Sequence, residues 1–198
     1  MPRKKAQPVK NSTKIRESIL SAALAVAARE AWEFVSPLTI AEEAGIPLHE
    51  LQSWFPTKSA IVMAIIDDLD SQVEDAFPDI DDTMSMRDRL FDVLMERIDL
   101  ANHHRDAHIS FFKSVGWTKE ATCSDISLLM SSMKRMAKCA GMDTEGLFGG
   151  IKLTGLAVAY SWVLLTWMRD TSPDLGKTMA ELDKTLSRAE GIAEYLQI

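Results

Sequence analysis

Residues 36–58 read SPLTIAEEAGIPLHELQSWFPTK, and this stretch decides the fold. Ser36 suits a helix N-cap, because its hydroxyl can take up an amide that the first turn leaves without a partner. Pro37 suits the first helical position, where no amide is needed. TIAEEA continues as a short helix, and Gly45 supplies the left-handed residue that ends it. Ile46-Pro47 opens a second short helix, LHELQSWF, which Pro56 and Thr57 stop. Lys58 then begins a long one, SAIVMAIIDDLDSQVEDAF. Two short helices about a glycine turn, followed by a long connector, have the geometry of a helix-turn-helix, or of an αα-hairpin with no role on DNA.

Upstream, Ile15, Ile19, Leu20, Ala23, Val26 and Ala27 recur at helical spacing, so an amphipathic helix is expected over Ser12–Trp32. Residues 1–11, MPRKKAQPVKN, are polar, basic and proline-containing, and are expected to form a disordered arm. Downstream, helical segments are expected over 84–103, 105–115, 122–140, 145–169 and 174–196, with no strand-like alternation. Nine glycines and seven prolines in 198 residues are too few for a sandwich or barrel that turns every few residues. The expectation is an all-α protein of about nine helices. It would have the arm 1–11, a three-helix helix-turn-helix module over 12–66, and a helical bundle over 67–198 for ligand binding and dimerisation.

The net charge of −7 argues against nucleic acid until its distribution is read. Residues 1–66 carry eight Lys/Arg against six Asp/Glu, and residues 67–198 carry fourteen against twenty-three. A basic arm before an acidic body is the asymmetry expected when one end touches phosphate. An acidic run, Asp67 to Asp82, marks where the modules meet. Leu147–Met168 is apolar nearly all round, but Lys152, Thr154, Ser161 and three glycines interrupt it. It reads as a helix buried at a bundle or dimer interface, with no membrane span. No signal-peptide pattern follows the N-terminus, so a cytoplasmic protein is expected.

Chemistry-bearing motifs are missing. Cys123 and Cys139 form no CxxC or Cys/His signature and read as small, partly buried hydrophobes. His103, His104 and His108 cluster, but no HExxH follows, so they read as exposed histidines at a helix junction and no metal site is expected. GLFGG (146–150) lacks the Lys-Ser/Thr of a phosphate loop. There is no GxSxG, no Cys/His nucleophile pair and no paired-carboxylate motif. Neither an enzyme nor a cofactor is expected.

The segment IRESILSAALAVAAREAWEFVSPLTIAEEAGIPLHELQSWFPTKSAIVMAI resembles the N-terminal signature of the tetracycline-repressor (TetR) family. Ile19, Ala23, Ser36, Ile40-Ala41, Ala44-Gly45 and Phe55-Pro56-Thr57-Lys58 carry the match. The resemblance implies a ligand-responsive DNA-binding transcriptional regulator, a repressor. It would be a homodimer whose third helices enter successive major grooves of double-stranded DNA at a pseudo-palindromic operator. Phosphate contacts would come from Lys4, Lys5, Lys10, Lys14, Arg16 and Lys58. For the arm lysines a solubilising tail is the other reading. By the same resemblance, Ser36 and Thr39 would touch the backbone beside Lys58.

The third helix presents Leu48, His49, Glu50, Gln52 and Ser53. His49, Glu50 and Gln52 stand where the family usually has a small residue, a hydroxyl and an aromatic. Gln52 can read adenine bidentately or donate to phosphate, and Glu50 can accept from a cytosine amine. The other reading of Glu50 is an acid placed in a first turn to suit the helix dipole.

WMRDTSPDLGKTMAELDKTL (167–186), after GLAVAYSWVLL, resembles the C-terminal helices of lipid-binding accessory proteins of ubiquinone biosynthesis. Those share the TetR fold without reading DNA, so a lipid or isoprenoid carrier is the alternative. Phe111, Phe112, Trp117, Met130, Met133, Tyr160 and Trp162 are either core or the lining of a pocket for a small apolar or amphipathic ligand. Leu175, Met179, Leu182, Leu186 and Ala189 form a stripe on the last helix. With the apolar helix before it, that stripe is expected to make the dimer interface.

Overall fold

Alanine fills most gaps between the apolar positions of the first helix, which favours helix formation and lets neighbouring helices approach closely. The computed structural model of the chain describes residues 8–114 and 123–196. Among these there are nine helices and no strand: α1 (Pro8–Arg29), α2 (Pro37–Ala44), α3 (Leu48–Trp54), α4 (Lys58–Ala76), α5 (Met86–Asn102), α6 (Arg105–Ser114), α7 (Cys123–Cys139), α8 (Gly146–Trp167) and α9 (Gly176–Leu196). The all-α expectation holds. One boundary moves: α1 begins at Pro8, inside the stretch expected to be a disordered arm. A proline in the first turn lacks only an amide that the helix does not use. Lys4, Lys5 and Trp117 lie outside the described residues.

The helices fall into two compact units. The first takes α1, α2, α3, the part of α4 through Ile66, and α6. Its core joins Ile19, Ala23, Val26 and Ala27 of α1 to Ile40 and Ala41 of α2, Leu51 of α3, and Ile61 and Ile65 of α4. α6 adds Ala107 and Phe111, the latter packed edge-on against Trp32 at 4.8 Å between ring centroids. The Ser110 hydroxyl accepts from the Trp32 amide at 2.8 Å and donates to the Glu30 carbonyl at 3.1 Å, satisfying backbone that α1 leaves open at its end. The sequence reading had grouped α6 with the segment 67–198. His103 and His104 are exposed as expected, but His108 is buried in this unit, edge-on to Phe111.

The second unit takes the rest of α4, with α5, α7, α8 and α9. Leu94 and Ile98 of α5, Met133 and Met136 of α7, Tyr160, Val163 and Trp167 of α8, and Leu182 of α9 are fully buried. Charge is buried with them. Arg97 donates from Nε to Asp70 Oδ1 at 2.8 Å and from Nη1 to the Tyr160 hydroxyl at 2.6 Å. Burial pulls the guanidinium pKa down, but Tyr160 and Asp70 outweigh it and hold it above the ordinary value. Leu182 and Leu186 spend their side chains on this core, as does Leu175 in the turn before α9. The expected interface stripe on α9 is therefore split: only Met179 and Ala189 of its five members are exposed.

The turn between α8 and α9 is held by one carboxylate. Leu175, the residue before α9, has no capping group and sits in the left-handed region at φ 51°. Asp170 caps the helix in its place. Its Oδ2 accepts from the Thr178 amide at 2.9 Å and hydroxyl at 2.8 Å, and its Oδ1 from the Ser172 amide at 3.0 Å and hydroxyl at 2.5 Å. Burial pushes this carboxyl up, but the four hydrogen bonds outweigh it and hold it well below the usual carboxylate range. Asp170→Asn is expected to cost about 2 kcal/mol at neutral pH, because it turns acceptor lone pairs into donors facing donors. A depressed folded pKa stabilises fully above the unfolded value near ~4 and progressively less below it. Denaturant titrations of the two proteins at about pH 7 and about pH 3 should show the gap narrowing at the lower pH.

Candidate nucleic-acid interface

The first unit aims α3 by its caps. Ser36 is the N-cap of α2, with extended backbone, and its hydroxyl oxygen accepts from the Thr39 amide at 3.1 Å. Thr39 Oγ1 lies 2.9 Å from the same oxygen, so both hydroxyls sit together at the helix start. Gly45 ends α2 at φ 69°, ψ 29°. The Gly45 amide donates to the Glu42 carbonyl and the Ile46 amide to the Ala41 carbonyl, the paired bonds of a left-handed helix stop. Ser18 of α1 donates to the Ala44 carbonyl at 3.2 Å, tying α1 to this turn.

α3 then divides by face. Leu51 is buried and Leu48 packs against the same core, so both act as anchors. His49, Gln52 and Ser53 are exposed, and Glu50 is half-buried. His49 and Gln52, three residues apart, share a face. The Ser53 hydroxyl donates to the Glu50 carbonyl at 2.7 Å, which leaves its lone pairs as acceptors. Lys14 is exposed on α1 and Arg16 is half-buried there. Ser36 is exposed as well, Thr39 and Lys58 are half-buried, and the side chain of Lys10 lies outside the described residues.

Lys58 is placed differently. Its ammonium donates to the Trp32 carbonyl at 2.5 Å and the Glu33 carbonyl at 3.4 Å, and lies 4.9 Å from the Trp32 ring centroid. It joins the first residue of α4 to the loop after α1. Burial holds its pKa below the ordinary lysine value. Spacing alone gave no sign of this, because the carbonyls it meets lie 25 and 26 residues away.

Six of the seven residues expected as a ligand pocket are described, and they are divided between the two units. Phe111 and Phe112 sit on α6 in the first unit, Phe111 as core. Met133 and Tyr160 are buried in the second unit and Met130 is half-buried there. Trp162 is 60% exposed, with its indole donating to Glu181 at 3.0 Å. Two features escaped the sequence reading. Arg97 falls in phase with Val93, Leu94, Ile98 and Ala101, the buried face of α5, which was its signal. The outward stripe of α8 at Phe148, Ile151, Gly155, Val158, Trp162 and Leu165 was legible as alternating steps of three and four.

No protein-family model matches the sequence, and no curated protein does. Solved structures do. A TetR transcriptional regulator from Nitrosomonas europaea superposes with a TM-score of 0.70 at 20% identity, over 88% of this chain and 97% of that one. A TetR transcriptional regulator from Rhodococcus sp. RHA1 gives 0.66 at 17% identity, over 90% and 97%. A tetR-family transcriptional regulator from Streptomyces coelicolor gives 0.63 at 17%, over 92% and 83%. The chain has the TetR fold along nearly its whole length.

Lys58→Met keeps the stem of the side chain and removes the ammonium. It is expected to lower the stability of the folded chain by about 1–2 kcal/mol, as two loop carbonyls lose their donor. Equilibrium denaturation checks this. A lysine serving DNA alone would leave the midpoint where it was.

Proposed function

We propose that the chain is a dimeric DNA-binding transcriptional regulator of the TetR type, acting in the cytoplasm as a ligand-released repressor. The observation that carries this reading is α3 itself. A helix anchored by Leu48 and Leu51 turns His49, Gln52 and Ser53 to solvent from a glycine-turned pair of helices. That is the arrangement a major-groove reader needs. Gln52 offers a bidentate pair to adenine and His49 a donor or acceptor to a neighbouring base. The Ser36 and Thr39 hydroxyls at the start of α2, with Lys14 and Arg16 of α1 and the basic residues before them, serve phosphate.

Two copies would present their α3 helices about one DNA turn apart, ~34–36 Å, on a pseudo-palindrome. The outward face of α8, with the exposed part of α9, forms the dimer seam. A small apolar or amphipathic ligand would be held in the second unit, Met130, Met133 and Tyr160 being its nearest candidates. α4 is one continuous helix with residues in both units, and is the element through which a ligand would act. A tenfold to hundredfold release from DNA asks for only about 1.4–2.8 kcal/mol of coupling.

One observation favours a second reading, a TetR-fold lipid or isoprenoid carrier that does not read DNA. α2 and α3 contain Glu42, Glu43 and Glu50 and no lysine or arginine, and Lys58 is engaged with loop carbonyls. Phosphate binding would then fall to α1 and the residues before it.

Selection of the purified full chain against a random duplex library, at ~50 and ~200 mM salt, separates the two. The regulator is expected to enrich a pseudo-palindrome with affinity falling steeply as salt rises. Gln52→Ala should cost about 1–3 kcal/mol at one base pair of each half-site and leave the salt slope intact. No enrichment at either salt would overturn the regulator and leave the carrier.

A further inference from the structure

The core of the second unit holds more hydrogen-bond donors than its own residues use. Arg97 is buried and donates from Nε to Asp70 and from Nη1 to Tyr160, while Nη2 donates to none of the described residues. The Tyr160 hydroxyl accepts that bond, and its own hydrogen meets no acceptor among the described residues. Burial outweighs the pull of Arg97 and holds this phenol above its ordinary pKa, so the hydrogen stays in place. Asp70 gives one oxygen to Arg97, and the other stands 4.0 Å from Arg135 Nη1, beyond hydrogen-bond reach.

Ser132 of α7 adds to the surplus. It is 2% exposed, and its hydroxyl has no hydrogen-bond partner among the described residues. Buried hydroxyls are nearly always bonded, so this one asks for a partner that the chain does not provide. Ser132 shares a face of α7 with Arg135 and Met136, the next turn of the helix, and from that face Arg135 reaches toward Asp70.

The surplus defines its complement. Unused donors outnumber unused acceptors, so the missing group is an acceptor. Its charge is fixed as well, because Arg97 and Asp70 cancel and Arg135 is engaged by Asp67 at 2.7 Å and Glu74 at 2.6 Å. A carboxylate would enter with no cation left to pair with it, and an ammonium would meet donors. A neutral carbonyl oxygen has two lone pairs and can accept from two donors at once. The surroundings ask for an apolar body: Met133 and Met136 are fully buried and Met130 half-buried, and their unbranched thioether chains can repack around a guest.

We propose that the second unit takes a neutral carbonyl compound with a hydrocarbon body, a ketone or an ester. Its oxygen accepts from Tyr160 and Arg97, and Ser132 is a further donor to its polar end and sets its specificity. The inference rests on the reading above that this unit holds a ligand, and adds the chemistry of the group recognised.

Calorimetric titration of the full chain tests it, with straight-chain methyl ketones and with fatty acids of matching length at neutral pH. At least one ketone should bind saturably, one per chain, and its matching fatty acid at least roughly tenfold more weakly. Ser132→Ala removes a hydroxyl with no partner to lose, so the free protein should keep or raise its thermal midpoint. The same variant should weaken the ketone about three- to tenfold, and Tyr160→Phe should weaken it by as much or more. Fatty acids bound as tightly as ketones would overturn the neutral head group. A Ser132→Ala chain that lost stability and held the ketone undiminished would overturn the site. No binding by any ketone would leave these groups to buried water and end the proposal. The outcome is separable from that of the DNA selection. An operator enriched by a chain that takes no ketone keeps the regulator and loses this inference, and a ketone bound without an operator does the reverse.

Discussion

Everything on the outward face of α3 depends on one backbone conformation. Gly45 sits in the left-handed region, which costs other L-residues roughly 1–2 kcal/mol, and its turn makes two hydrogen bonds that close α2. Only with the chain reversed there does Leu51 reach the core between α1, α2 and α4. Once Leu51 is buried, the helical repeat leaves His49, Gln52 and Ser53 no choice but solvent. The orientation of that surface is thus inherited from the turn that precedes it.

The second unit is organised by the opposite principle. Its centre holds charge, with Arg97 of α5 shared between Asp70 of α4 and Tyr160 of α8. Arg135 of α7 adds bonds to Asp67, Ser71 and Glu74 along α4. Apolar side chains of similar volume would often be at least as stable as such a buried pair. What directional bonds add is register. Helices with smooth apolar faces can slide, and helices joined through a guanidinium and a carboxylate cannot slide without stranding a charge.

The sequence made the local features plain. Caps, glycine stops and proline starts act over a few residues, so Ser36, Pro37 and Gly45 announced α2 and its end, and all nine helices could be located. Partners distant along the chain were not legible. Lys58 looked like a free cation at a helix start because nothing near it in sequence suggests that carbonyls 25 and 26 residues earlier surround it. Leu182 and Leu186 looked like an interface because an apolar stripe reads the same whether its partner lies inside the chain or outside it. The outward stripe of α8 is just as apolar and is exposed. Periodicity reveals that a face is buried, and only packing tells against what.

The position of α6 bears on how the chain comes to be folded at all. The first unit is discontinuous: Ala107, Ser110 and Phe111 complete a core whose other members all precede Ile66. At translation speeds of about 5–20 residues per second, Phe111 is made roughly 2 to 9 seconds after Ile66. During that interval Trp32 lacks its aromatic neighbour and the end of α1 lacks its hydroxyl. The nascent helix-turn-helix must wait, partly open, for a segment delivered after α5 has been synthesised, so the order of synthesis and the order of assembly do not coincide.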